Sequence, residues 1–179
     1  MEIFFICLVA LGASLLTLFS GFGLGTILMP AMAFFFPLDT AIALTAVVHF
    51  ANNLFKLVLL GKSARWDVVW KFGAPGFVAA FAGAKILFLL ENAPPLLTYS
   101  VGGRDFEITF VKMTVAGLII FFLALEMSPA FSKLSFPLKF LPAGGAVSGF
   151  LGGLSGHQGA LRAAFLVRCN LSKESFIAT

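Results

Sequence analysis

Ser20-Gly21-Phe22-Gly23-Leu24-Gly25 interrupts the first apolar run of the chain, and Ser155-Gly156-His157-Gln158-Gly159 interrupts a late one, with Arg162 one helical turn beyond it. In hydrocarbon an unpaired backbone amide or carbonyl is so unfavourable that a broken helix survives there only where protein or a wet cavity satisfies the exposed groups. Two such breaks, one in each half of a polytopic chain, mark the place where a transporter binds its substrate. Gly21, Gly23, Gly25, Gly156 and Gly159, with Pro30 close behind the first set, therefore read as residues that shape two helix breaks.

Composition sets the class around those breaks. Hydrophobic residues make up 60% of the 179 and charged residues only 11%, with Phe occurring 23 times, which is the balance of an all-α, polytopic membrane protein. Apolar runs of the roughly 20 residues needed to cross a bilayer lie near 3–19, 38–60, 68–90 and 110–127, and a shorter one opens after Pro142. Met1-Glu2 supplies no basic leader region, and the first run continues straight into the glycine break, so it reads as uncleaved. Cys7 and Cys169 fall in different halves with no metal or disulfide spacing and read as packing residues.

A pI near 9.3 invites a nucleic-acid partner, yet the basic residues are dispersed among the connections. Topology accounts for most of them. The connection 61–67 carries Lys62 and Arg65 against Asp67, with Lys56 and Lys71 beside it, whereas 91–108 carries Glu91, Asp105 and Glu107 against Arg104. The positive-inside rule puts the first in the cytoplasm and the second outside. One more crossing returns 128–141, with Lys133 and Lys139, to the cytoplasm. In the outer connection, Pro94-Pro95 ends a helix, and two partly alternating segments flank Gly102-Gly103, which predicts a small β-hairpin at about 91–109. The inner connection mixes Phe and Leu with Lys and Ser and could lie along the headgroups.

An offset of 134 residues relates Gly25 to Gly159 and also Thr45 to Thr179, although identity between the two segments is otherwise poor. What they share is punctuation: glycine break, short apolar helix, polar tip, new helix. This predicts a first repeat over 1–127, a cytoplasmic connection over 128–141, and a second, incomplete repeat over 142–179, in a longer protein of about 268 residues. The tip 34–40 carries only Asp39, whereas 168–174 carries Arg168 and Lys173 against Glu174. That asymmetry favours inverted repeats with re-entrant broken segments; parallel repeats, with each broken segment crossing once, stay open.

His49, Asn52, Asn53 and Lys56 recur at i, i+3, i+4 and i+7 in an otherwise apolar helix, so they share one face. A charged side chain facing mid-bilayer lipid costs at least about 2.5 kcal/mol, which turns that face toward the bundle interior or water. The alternative is interhelical hydrogen bonding by the two asparagines with Lys56 snorkelling to the surface. The polar groups at depth are cations and neutral donors: Lys56, Arg162, His49, His157, Asn52, Asn53 and Gln158. Carboxylates, which cation carriers use as ligands or proton relays, are confined to Asp39 and Glu126 near span ends. Helices restarting after Gly25 and Gly159 would also point free amides at the breaks, which favours an anion. Arg162 can fork onto the oxygens of a sulfonate, sulfite or carboxylate, or pair structurally with a carbonyl or Glu126.

The order of glycine break, Ile27-Leu28-Met29-Pro30, a tip with Pro37 and a helix reaching Thr45 resembles the TauE/SafE family of sulfite and organosulfonate exporter-like permeases. His49-Phe50-Ala51-Asn52-Asn53-Leu54-Phe55-Lys56 and Ser155-Gly156-His157-Gln158-Gly159-Ala160-Leu161-Arg162 are similar to one branch of it. The family's usual Gly-Gly-Gly is replaced by Gly23-Leu24-Gly25 and His157-Gln158-Gly159. The resemblance implies outward, proton-coupled movement of sulfite, sulfoacetate, sulfolactate and related anions.

The sequence thus predicts a multi-pass permease of a bacterial-type inner membrane, with its site at the midplane between the breaks. Arg162, Lys56, His157, Gln158, Asn52 and Asn53, with the amides after Gly25 and Gly159, are the expected anion contacts. His49 or His157 would carry the coupled proton, because histidine titrates near neutrality. A passive anion channel, a carboxylate permease and a non-transporting membrane subunit are the alternatives, and homo-oligomers stay open. No cofactor, metal or nucleic-acid partner is expected. Nothing resembles an enzyme's nucleophile set, paired carboxylates or phosphate loop, and Gly144-Gly145 and 149–153 suit close helix packing instead.

Overall fold

The computed structural model describes residues 2–20, 24–132, 136–156 and 159–179. Helices α1 (Glu2–Ser20) and α2 (Leu24–Phe35) flank the first break, and α3 (Leu38–Leu60) follows with Pro37 at its N-cap. After the turn Gly61–Ser63, a second long helical stretch runs from α4 (Trp66–Val68) through a π turn (Val69–Gly73) into α5 (Ala74–Glu91). Pro75 has no amide to give the preceding turn, and the ladder slips into the wider π register just before it. Strands β1 (Leu97–Val101) and β2 (Arg104–Ile108) pair antiparallel, followed by α6 (Phe110–Met127) and the short α7 (Pro129–Ser132). Helix α8 (Leu141–Ser155) leads to the second break, α9 (Gly159–Leu166) leaves it, and α10 (Lys173–Ala178) ends the chain.

Three of these stretches, 38–63, 66–91 and 110–127, are long and apolar enough to cross a membrane, and their central windows are only 17, 11 and 17% buried within the protein. Phe50, Val58, Phe77, Phe81 and Ile120 all point outward. Apolar surface on that scale is sustained by lipid, not water. The three middle spans and the β-hairpin therefore stand, whereas the first run, 3–19, gives a shorter apolar helix at 4–17 that turns back with α2 and is not a full crossing. Gly102 and Gly103 both have positive φ, 62° and 77°, the type I′ geometry that suits a two-residue turn between twisted strands, and Tyr99 stacks on Phe106 across the pair.

Two clusters mark the ends of the bundle. At the β-hairpin end, Met29, Val111 and Val115 pack with Leu38, Ile42, Leu87 and Leu90. At the far end, Val68, Phe72, Leu141, Leu166 and Cys169 pack together with Phe165, Leu171 and Phe176. The path of each broken segment follows from these. Phe5 near the start of α1 lies 5.9 Å from Phe35 at the end of α2, and α3 starts at the β-hairpin end. Helices α1 and α2 thus enter from that end and return to it. Leu141 starts α8 at the far end and Leu166 ends α9 there; Phe165 is anchored by stacking on Phe136 at 4.4 Å. The second broken pair enters from the opposite end.

A seam of small residues fixes α8. Gly145 faces the Phe72 carbonyl, Gly149 the Gly76 carbonyl and Gly153 the Ala80 carbonyl, so closely that a Cβ at any of the three would collide with backbone. Both partners advance by four residues at each step, which makes α5 and α8 parallel neighbours packed backbone to backbone, the arrangement that glycines at four-residue spacing permit. This bears out close packing as the role of these glycines. At the far end Arg65 forks onto Asp67 at 2.9 Å, and the carboxylate pushes the guanidinium further up from its ordinary range. The Arg65 amide donates to the Thr179 hydroxyl, tying α10 to this turn.

Candidate anion site between the broken helices

Beyond Ala41, the buried residues of α3 are Thr45, Asn52 and Lys56, with His49 partly buried along the same line. Their spacing of i, i+4, i+7 and i+11 keeps one side of the helix and draws a polar track of about 16 Å at 1.5 Å per residue. Asn53 is exposed, one position round the helix from Asn52, and the structure does not bring it to the others. Thr45, which sequence reasoning did not assign to the site, takes its place. The Thr45 hydroxyl and the Asn52 amide nitrogen are buried with no hydrogen-bond partner among the described residues. Buried donors are ordinarily satisfied, so these two are donors available to a polar group on this face.

Lys56 is only 6% exposed and donates from Nζ to the Thr17 carbonyl at 3.2 Å. Thr17 is in the last turn of α1, where the helix dipole is negative. Its hydroxyl is turned back onto the Ala13 carbonyl at 2.6 Å, which leaves the Thr17 carbonyl to the lysine. This contact fastens α3 to the rim of the first break. Snorkelling, the alternative for Lys56, does not describe a side chain held inward on α1.

On the other side of the break, α2 begins at Leu24, with Leu24 and Gly25 both buried. Gly21 and Gly23 lie outside the described residues. Pro30 stands inside α2, beyond its first turn, and the helix runs through it to Phe35; its local effect is to withhold an amide from the Thr26 carbonyl four residues earlier. The Thr26 hydroxyl donates to Glu126 Oε1 of α6 at 3.2 Å. Glu126 was legible as a carboxylate near a span end, but its partner was not.

At the second break Gly156 closes α8 in the left-handed conformation, φ 72°, with its amide on the Gly152 carbonyl at 2.7 Å, a helix stop that glycine adopts without strain. His157 and Gln158 lie outside the described residues. Gly159 opens α9, which places Arg162 in the first turn of that helix, partly buried. Arg162 approaches Lys56 closely enough for the two like charges to interact. Lys56 is four residues from the end of α3, about 6 Å of helix rise, so these cations sit nearer the far end of the bundle than its centre.

Two cations, two buried donors with no partner among the described residues and the amide ends of two restarting helices are groups of the kind an oxyanion accepts from. Among the described residues no three His, Cys, Asp or Glu side chains gather as metal ligands, and Cys7 and Cys169 are unpaired thiols, one exposed and one buried. A separate open cavity of about 440 Å³ at the β-hairpin end is lined by Asp39, Glu91 and Lys112 among apolar side chains.

Comparison with known proteins matches the family described as Sulfite exporter TauE/SafE over residues 6–179. No curated protein and no solved structure matches the chain. With long apolar helices and a match across nearly its whole length, the chain is a membrane-embedded protein of exporter type and belongs to the sulfite exporter TauE/SafE family.

Proposed function

We propose that this protein carries small oxyanions, sulfite and organosulfonates, across the membrane, and that Lys56 and Arg162 hold the anion between the two broken helical pairs. The observation that carries the reading is the placement of one cation beside each break, Lys56 fastened to the rim of the first and Arg162 in the first turn beyond the second. Asn52 and Thr45 offer it further donors along α3. Gly25 and Gly159, as residues of the restarting first turns, leave amides facing the breaks. His157 and Gln158, in the second break itself, belong to the same proposal by position.

Entry of the broken pairs from opposite ends suits two inverted repeats rocking about a shared site. The far end carries Lys62, Arg65, Lys71, Lys139, Arg168 and Lys173 against Asp67, Glu126 and Glu174, whereas the β-hairpin end carries Asp39, Glu91, Asp105 and Glu107 against Arg104 and Lys112. By the positive-inside rule the far end is cytoplasmic, in the inner membrane of a bacterial-type cell, and the anion site lies toward that side. Proton coupling is part of the proposal; among the histidines, His49 lies on the polar face of α3. Replacing Arg162 with alanine tests the site. Flux of labelled sulfite should collapse while membrane insertion stays normal, and flux at the wild-type rate would remove Arg162 from the site.

A further inference from the structure

The permease reading leaves Glu126 without a task. It is the penultimate residue of α6, partly buried, and it takes the Thr26 hydrogen bond across 100 residues of sequence. Thr26 belongs to the first turn of α2, just past the first break, as Thr17 belongs to the last turn of α1 just before it. The same break is therefore held on its α1 side by a lysine from α3 and on its α2 side by a carboxyl group from α6. Thr26 can serve both protonation states of that group. Its hydroxyl donates to a carboxylate and accepts from a carboxylic acid, and its carbonyl, deprived of the Pro30 amide, is a second acceptor within the same residue.

We infer that the proton coupled to anion movement binds Glu126, with Thr26 as the positioning residue that relays its state to the first break. The inference rests on the permease reading. Proton binding forms one O–H bond at a carboxylate oxygen, at the expense of hydronium on the acidic side, and the proton returns to water on the alkaline side; no bond of the anion changes. Neutralising Glu126 removes a negative charge from the rim of an anion site and turns the Thr26 hydroxyl from donor to acceptor. Whatever this does for anion affinity, bound anion does equally for proton affinity, because binding linkage is reciprocal.

Few other charges compete for this role. Of the elements packed on α6, α2, α7 and α8 contain no ionisable side chain, α3 brings Asp39, His49 and Lys56, α5 brings Lys85 and Glu91, α9 brings Arg162, and α6 itself carries Lys112. Among the described residues, the Glu126 carboxyl takes its hydrogen bond from the Thr26 hydroxyl. Lys133 lies outside the described residues.

The test uses labelled methanesulfonate, which stays ionised at every working pH, so any pH dependence of its flux belongs to the protein. In vesicles holding the full chain, an imposed pH gradient should change wild-type flux several-fold relative to flux without a gradient. Glu126→Gln should bring that ratio to about one, Glu126→Asp should restore it, and Thr26→Val should move the pH midpoint by about one unit. A Glu126→Gln protein that keeps the wild-type ratio and midpoint overturns the inference alone. If that variant does not insert, an unmoved midpoint in Thr26→Val overturns it instead. A wild-type protein that moves no sulfonate under any gradient overturns the permease reading itself.

Discussion

Gly149→Ala tests whether the second broken pair is carried on the α5–α8 seam. A Cβ built on Gly149 lies 2.5 Å from both the carbonyl carbon and the Cα of Gly76, whereas nonbonded carbons rest about 3.5–4.0 Å apart. The obstacle is helix backbone, which has no rotamer to change, so α8 must move off α5 by about 1 Å. That movement also loosens the contacts of Gly145 and Gly153 on either side. Overpacking of this kind costs about 1–3 kcal/mol, against which alanine returns up to about 1 kcal/mol of helix propensity. Gly117→Ala in α6 supplies the control, because a Cβ there meets nothing within 4 Å. The difference between the two variants cancels the propensity gain and leaves the seam, about 1–3 kcal/mol. At about 2–4 °C per kcal/mol for a chain of this size, Gly149→Ala should melt several degrees below Gly117→Ala when detergent-solubilised full chain is heated and its monodispersity followed. Equal midpoints would show that α8 is not held against α5 backbone to backbone, and the positioning of Arg162 by α8 and α9 would lose its basis.

Two further perturbations bear on the site itself. Gly156→Ala puts a side chain at a φ of 72°, where a left-handed L-residue costs about 1–2 kcal/mol; the thermal midpoint should fall by a few degrees, and an unchanged midpoint would mean that the second break is not built on that cap. Lys56→Met keeps the length of the side chain and removes its charge. Hydrogen bonds to charged groups contribute about 1.5–3 kcal/mol, so sulfite affinity measured by concentration dependence of flux should weaken roughly ten- to a hundredfold, and wild-type affinity in that variant would exclude Lys56 from the anion site.

The membrane spans were readable because an apolar run of sufficient length has few alternatives in a chain this hydrophobic, and the β-hairpin because Gly102-Gly103 supplies the two positive φ values its turn requires. Glycines at 145, 149 and 153 announced close packing through their spacing, but the partner helix and its parallel direction emerged only in three dimensions. The polar face of α3 shows where sequence reasoning stops. Asn52 and Asn53 are adjacent and both at helical spacing from Lys56, and one is buried while the other is exposed; which of two neighbouring positions faces inward depends on where α1 lies. Thr45 was passed over because one hydroxyl in an apolar helix is unremarkable until it proves buried. Thr26 and Glu126 lie 100 residues apart, with no periodicity to connect them. The contrast between the tips at 34–40 and 168–174 is the sequence signal behind the proposed inverted repeats, and it rests on a handful of charges.

The central claim is that the cations between the breaks hold a transported oxyanion. Counterflow of labelled sulfite, and separately of labelled methanesulfonate, in vesicles carrying the full protein tests it most directly. Saturable exchange that is driven by a pH gradient and competes between the two anions is the expected result. Failure of both anions to exchange, with the protein inserted and folded, would contradict the account.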